Sequence, residues 1–113
     1  RKDSLDMTDQ DRELVGQAVE KDENRYIVIT HGTDTMVDTA NRLRDIKGKV
    51  IVLTGAMEPA AFKSSDAFFN LGSAVAAVQI LEEGVYIAIN GRIFDPSKVK
   101  KDRSVMQFTE TQQ

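Results

Sequence analysis

Lys49-Val50-Ile51-Val52-Leu53-Thr54 limits the folds open to this chain more than any other stretch. It is an unbroken apolar run with no polar alternation, so it reads as a strand covered by helices on both faces. Such strands belong to parallel sheets, and a parallel sheet needs a crossover, usually helical, between successive strands. The run also stops abruptly in small residues, Gly55-Ala56.

Two further runs fit the same pattern. Arg25 to Thr30 is the first strand, and Val85-Tyr86-Ile87-Ala88-Ile89 is the third. Between them the spacing predicts helices. Met7 to Asp22 has Leu14, Val15, Ala18 and Val19 as one apolar stripe, with Thr8 or Asp6 as the N-cap. Asp34 or Thr35 is expected to cap a second helix carrying Met36, Val37, Ala40, Leu43 and Ile46, which Gly48 ends. Ser64 or Ser65 can cap a third, whose Phe68, Phe69, Leu71, Ala74, Val75, Val78, Ile80 and Leu81 predict a nearly buried helix. After the third strand, Asn90-Gly91 leads into Arg92-Ile93-Phe94, a strong hairpin signal. The order helix, strand, helix, strand, helix, strand implies a three-layer α/β domain with right-handed crossovers. The end after Phe108, rich in Gln, is expected to fray.

At 113 residues the chain is one domain, residues 1–113. No apolar run approaches the roughly 20 residues of a membrane span. A net charge of −3 argues against nucleic acid or an anionic membrane as partner, since both need a basic face. Lys98, Lys100, Lys101 and Arg103 are the one basic cluster. The absence of cysteine fits the cytosol and removes thiolate metal sites. The chain opens on Arg1-Lys2-Asp3, shows no leader pattern and starts with a helix where a doubly wound domain normally starts with a strand. A missing leading βα unit, and so a fragment, is the expectation.

The exit of the first strand, Thr30-His31-Gly32-Thr33-Asp34-Thr35-Met36, gathers reactive side chains where open parallel sheets bind ligands. Capping is the ordinary role of Thr33 or Asp34 at a helix start. His31 is the sole histidine, so a histidine-rich metal site is excluded, and it reads as structural at the strand end. Lys101 is ordinarily a solvated lysine, but beside a threonine and an aspartate a lysine of lowered pKa can act as a base. Lys63 competes for that role.

The heptapeptide Thr30 to Met36, with Leu53-Thr54-Gly55-Ala56-Met57, Pro59, Ser65-Asp66 and Asn70-Leu71, closely resembles the bacterial L-asparaginase family, the threonine-dependent asparaginase/glutaminase group. The resemblance covers nearly the whole chain and implies that family's large domain, a Rossmann- or flavodoxin-like parallel sheet truncated at its first strand, without the smaller C-terminal domain. It implies that Thr33 is the second catalytic threonine, Asp34 the aspartate that contacts the substrate α-amino group and supports the triad, and Lys101 the triad lysine. Ser4 matches the serine that holds the substrate α-carboxylate, and Ala56 the residue whose backbone lies near the side-chain amide. The implied reaction is hydrolysis of L-asparagine, or L-glutamine, through a threonine acyl-enzyme, with no metal or cofactor, in a cytoplasmic homodimer.

The chain departs from the family in two places. The family's first threonine, its usual nucleophile, sits in a Thr-Gly-Gly-Thr-Ile type motif that these residues do not contain, which implies an inactive or impaired fragment, and Leu5 stands where many members carry a polar residue. The alternative is a non-catalytic module that binds asparagine or aspartate through Ser4 and Asp34. An anion site at the helix N-termini is a weaker third reading, since no glycine-rich phosphate loop is present.

Overall fold

The three apolar runs form the parallel strands β1 (Tyr26–Thr30), β2 (Val50–Thr54) and β3 (Gly84–Ile89) of one sheet. In the computed structural model, which describes residues 7–56, 65–102 and 107–110, they lie in the order β1-β2-β3, followed by β4 (Arg92–Phe94). The register pairs Val28 with Val52 and Val52 with Tyr86. β4 runs antiparallel to β3, Ile87 opposite Phe94, through the Asn90-Gly91 turn. Both turn residues have positive φ, +55° and +75°, the conformation that a two-residue hairpin asks of them.

Every residue of β2 is buried, as its lack of polar alternation implies. The pleat sends alternate side chains to opposite faces. Ile51, Leu53, Val85, Ile87 and Ile89 pack against Val19, Met36, Ala40 and Leu43 of the first two helices and the turn after them. Val50, Val52 and Ala88 pack against Ala74 and Val78 of the third. α1 (Asp9–Lys21) and α2 (Met36–Arg42) therefore cover one face and α3 (Ser65–Val78) the other, giving the three layers.

The hands of the crossovers differ from expectation. β1, β2 and β3 step across the sheet in one direction, yet α2 and α3 lie on opposite faces. Two parallel connections that step the same way over opposite faces have opposite hands, so only one is right-handed. The physical reason is occupancy: a matching hand sets α3 on the face that α1 and α2 already fill.

Two helical faces also differ. Thr8 caps α1, accepting from the Asp11 amide while the Asp11 carboxylate accepts from the Thr8 amide. The buried side is Arg12, Gly16 and Val19, and Leu14 is 59% exposed. Gly16 sits against the Arg42 guanidinium, a contact that an apolar stripe does not reveal. α3 is not nearly buried: Asn70, Ala74, Ala77 and Val78 are, while Phe68, Phe69, Leu71 and Val75 are exposed, as is Ile80 beyond its end. Ser64, one of the two candidate caps, lies outside the described residues.

Past Phe94 a short 3-10 turn, Pro96–Lys98, leads into β5 (Val99–Asp102), which pairs antiparallel with β6 (Gln107–Glu110). Thr109 and Glu110, expected to fray, are instead paired with Lys100 and Val99, and residues 111–113 lie outside the described residues.

Candidate active site

β1 and β2 are neighbours, and the chain leaves their carboxyl ends toward opposite faces, α2 after one and α3 after the other. Adjacent strands whose following helices part to opposite faces are where α/β sheets bind ligands.

The two exits touch. The His31 amide donates to the Thr54 carbonyl at 2.9 Å, extending the parallel ladder by one bond. Gly55 then lies directly against the His31 carbonyl, with no room for a Cβ. The His31 ring braces the turn that follows. Its Nδ1 lies 2.6 Å from the Gly32 carbonyl, which can only accept, so Nδ1 carries the proton. Nε2 of the neutral ring then accepts from the hydroxyl of the fully buried Thr39 at 2.8 Å. Burial pushes the imidazole pKa below its ordinary value of 6.5, the Gly32 carbonyl opposes that, and the Arg12 charge adds to the lowering. The structural reading of His31 thus has its partners.

Held by that brace, Thr33–Thr35 forms one 3-10 turn before α2. Thr33 is buried, at 6% exposure, and Asp34 is half-buried. The N-cap positions belong to Gly32 for the turn and Thr35 for α2, and neither makes a side-chain capping bond. Asp34 occupies neither N-cap position.

On the β2 side, Gly55 and Ala56 are half-buried. The Thr54 hydroxyl donates to the Ala88 carbonyl at 2.7 Å, tying this exit to β3. Asn70 of α3, fully buried, donates from Nδ2 to the Gly55 carbonyl at 2.7 Å and accepts at Oδ1 from the Asn90 amide at 2.9 Å. Sequence reasoning assigned Asn70 no role. Its signal was position: 70, 74, 77 and 78 share the buried side of one helix.

Thr33, Asp34 and Ala56 are thus brought to two adjacent strand exits. Lys101 is placed by its backbone on β5, opposite Phe108. β5 adjoins α2, Val99 is in the core and Asn41 of α2 donates to the Pro96 carbonyl at 3.0 Å, so the ribbon's start is anchored to the helix that follows Thr33 and Asp34. Ser4 and Lys63 lie outside the described residues. Among the described residues no group of three or more His, Asp or Glu side chains is placed to hold a metal ion.

Comparison with known proteins adds an independent line. A family profile described as "Asparaginase, N-terminal" matches residues 1–109. A glutaminase-asparaginase of Acinetobacter glutaminasificans is 41% identical over 92 residues, covering 77% of this chain and 28% of the relative. An L-asparaginase of Thermococcus kodakarensis is 35% identical over 108 residues, covering 91% of the chain and 33% of the relative. The crystal structure of a probable cytoplasmic L-asparaginase from Campylobacter jejuni superposes with a TM-score of 0.85 at 36% identity, over 97% of this chain and 38% of that one. The chain spans about a third of the length of these relatives.

Proposed function

The chain belongs to the asparaginase family, matching the N-terminal domain, and from that premise we propose that it serves the hydrolysis of the side-chain amide of L-asparagine. The observation that carries this reading is the junction of the two strand exits, His31 against Thr54 and Gly55, which brings Thr33 and Asp34 to the same sheet edge as Ala56. The relatives' descriptions as asparaginases, and in one case glutaminase-asparaginase, name the substrates.

In this reading a threonine hydroxyl attacks the carboxamide carbon while a basic amine accepts the hydroxyl proton. The carbon–nitrogen bond breaks, ammonia leaves with a proton, and water cleaves the ester to give aspartate and restore the hydroxyl. Thr33 supplies a hydroxyl at the site, Lys101 is the amine, and Asp34 orients the lysine and holds the substrate α-ammonium. Ser4 binds the α-carboxylate, and the Ala56 backbone meets the amide. Glutamine reacts in the same way where the site admits one more methylene. The reading requires no metal or cofactor and includes cytoplasmic residence and a homodimer. β1 supports the dimer as an apolar strand at the sheet edge among the described residues, with Tyr26 54% exposed. Cell fractionation and sedimentation check those two parts.

Ammonia release from asparagine by this chain joined to a segment that carries the family's Thr-Gly-Gly-Thr-Ile motif, with calorimetric binding of aspartate alongside, tests the proposal. Ammonia release that Thr33→Ala abolishes supports it. Binding of aspartate without ammonia release replaces it with the second reading, an amino-acid-binding module that keeps Asp34 and Ser4. Neither binding nor release removes both.

A further inference from the structure

We infer that Asn70 is a positioning residue for this site: its side-chain amide, bridging the Gly55 carbonyl and the Asn90 amide, sets the Gly55–Ala56 peptide where the substrate amide is met. The inference rests on the proposed role of Ala56.

Asn70 is 0% exposed on the packing face of α3, beside Ala74 and Val78. An apolar residue at that position fills space without the desolvation cost of a buried amide. The amide is instead spent on two backbone groups, both at the carboxyl edge of the sheet and on different strand exits. Nδ2 donates to Gly55 at 2.7 Å, and Oδ1 accepts from Asn90 at 2.9 Å.

A peptide unit is planar and trans, so the direction of its carbonyl sets the opposite direction of its N–H. With the Gly55 carbonyl held by Asn70, the Ala56 amide, which is antiparallel to that carbonyl, is aimed away from α3. The Cα of the same Gly55 lies against the His31 carbonyl. Gly55 is therefore contacted both by the β1 exit, which leads to Thr33, and by the α3 side chain. The Asn90 bond extends the clamp to the β3 exit, where Asn90 sits in the left-handed region at φ 55°. Displacing a positioned group by about 1 Å costs on the order of 100-fold in rate.

Asn70→Asp separates the two halves of the clamp. Its carboxylate still accepts from Asn90, but it has no donor for Gly55. Protonation restores a donor, and burial raises the carboxyl pKa, so the restoring form is reached on mild acidification. In amide-resolved NMR of the whole chain the Ala56 resonance is expected to move and that of Asn90 to stay. In the chain joined to a segment carrying the family's Thr-Gly-Gly-Thr-Ile motif, activity toward asparagine is expected to fall roughly 10- to 100-fold at pH 8 relative to the unsubstituted protein and to recover as pH is lowered. Asn70→Ser, which folds without a buried charge, is expected to move both resonances and to show the loss without the recovery.

An unmoved Ala56 resonance in both variants overturns the inference. So does native-like turnover by folded Asn70→Asp at every pH. If the unsubstituted joined protein itself neither releases ammonia nor binds aspartate, the proposed function falls, and the Ala56 resonance still decides the clamp.

Discussion

Gly55 lies so close to the His31 carbonyl that no side chain fits at position 55. The contact joins the ends of β1 and β2, and the next residue on each side leads into the proposed site. Gly55 has no positive φ to explain it, so the requirement is steric. Gly55→Ala must push two strand exits apart, and overpacking of this kind typically costs about 1–3 kcal/mol. Thermal unfolding of the variant is expected to shift down by several degrees, and the His31 and Thr39 resonances to move with it.

His31 gives the chain a distinct pH window. Its folded pKa lies below 6.5, chiefly through burial, while the unfolded imidazole titrates near 6.5. Between those values the unfolded state binds more protons, so stability rises with pH there. The contribution is complete above about 6.5 and is lost as pH falls through the folded pKa. Glu13, Asp22 and Asp95 also titrate below their ordinary values, Glu13 mainly through Arg42, Asp22 through Asn24 and Asp95 through Ser97. Their losses come lower, below their ordinary values of 4.5, 3.8 and 3.8. Denaturant unfolding at closely spaced pH is expected to show the upper step in the native chain and to lose it in His31→Gln.

Arg12 is the cation behind part of the His31 shift. It pairs with Asp9 at 2.9 Å, and its buried Nε has no hydrogen-bond partner among the described residues. Arg12→Met removes the positive charge, so the His31 pKa is expected to rise, as read by titrating the ring protons of the one histidine. Replacing a buried ion with an apolar side chain of similar length is often close to neutral. The melting temperature is therefore expected to change little, and a large fall contradicts this account.

Lys49 joins α1's exit to β2. Its Nζ donates to the carbonyls of Asp22 and Asn24 at 2.5 and 2.6 Å, and the residue is 9% exposed. Lys49→Met keeps the stem and removes both bonds. Water can reach the exposed Asp22 and Asn24, so the loss is expected near the lower end of charge-assisted bonds, about 1–2 kcal/mol in denaturant unfolding.

In a protein that also carries the family's first threonine, Thr33→Ala and Lys101→Met are each expected to lower ammonia release by at least roughly 100-fold and to leave the far-ultraviolet spectrum unchanged, while Thr33→Ser retains part of the activity. Lys63→Met is expected to keep native activity. If Lys63→Met is the inactive variant and Lys101→Met is not, the lysine has been assigned to the wrong position.

The three parallel strands were legible because their apolar runs are unbroken, and the hairpin because Asn90-Gly91 meets a backbone demand directly. Thr33 and Asp34 were legible as residues at a strand exit. The buried face of α1 was not, because Arg12 and Gly16 bury through a guanidinium and a missing side chain, neither of which counts as apolar. The exposure of Phe68, Phe69 and Val75 was hidden for another reason. An apolar helix shows what can be buried, and only the number of neighbours within reach decides what is. Asn70 escaped as a polar residue on a packing face, whose meaning depends on the two loops it reaches. The crossover hands could not be read either, since the pattern of α3 does not say which face of the sheet receives it.

Because the parting of α2 and α3 is a matter of chirality, it does not depend on the sequence of the loops between strand and helix. The segments after β1 and β2 can gain, lose or exchange residues, and the parting persists as long as α2 and α3 stay on their own sides. Such a scaffold separates inheritance of shape from inheritance of chemistry. New specificities can be explored at its rim without renegotiating the sheet beneath.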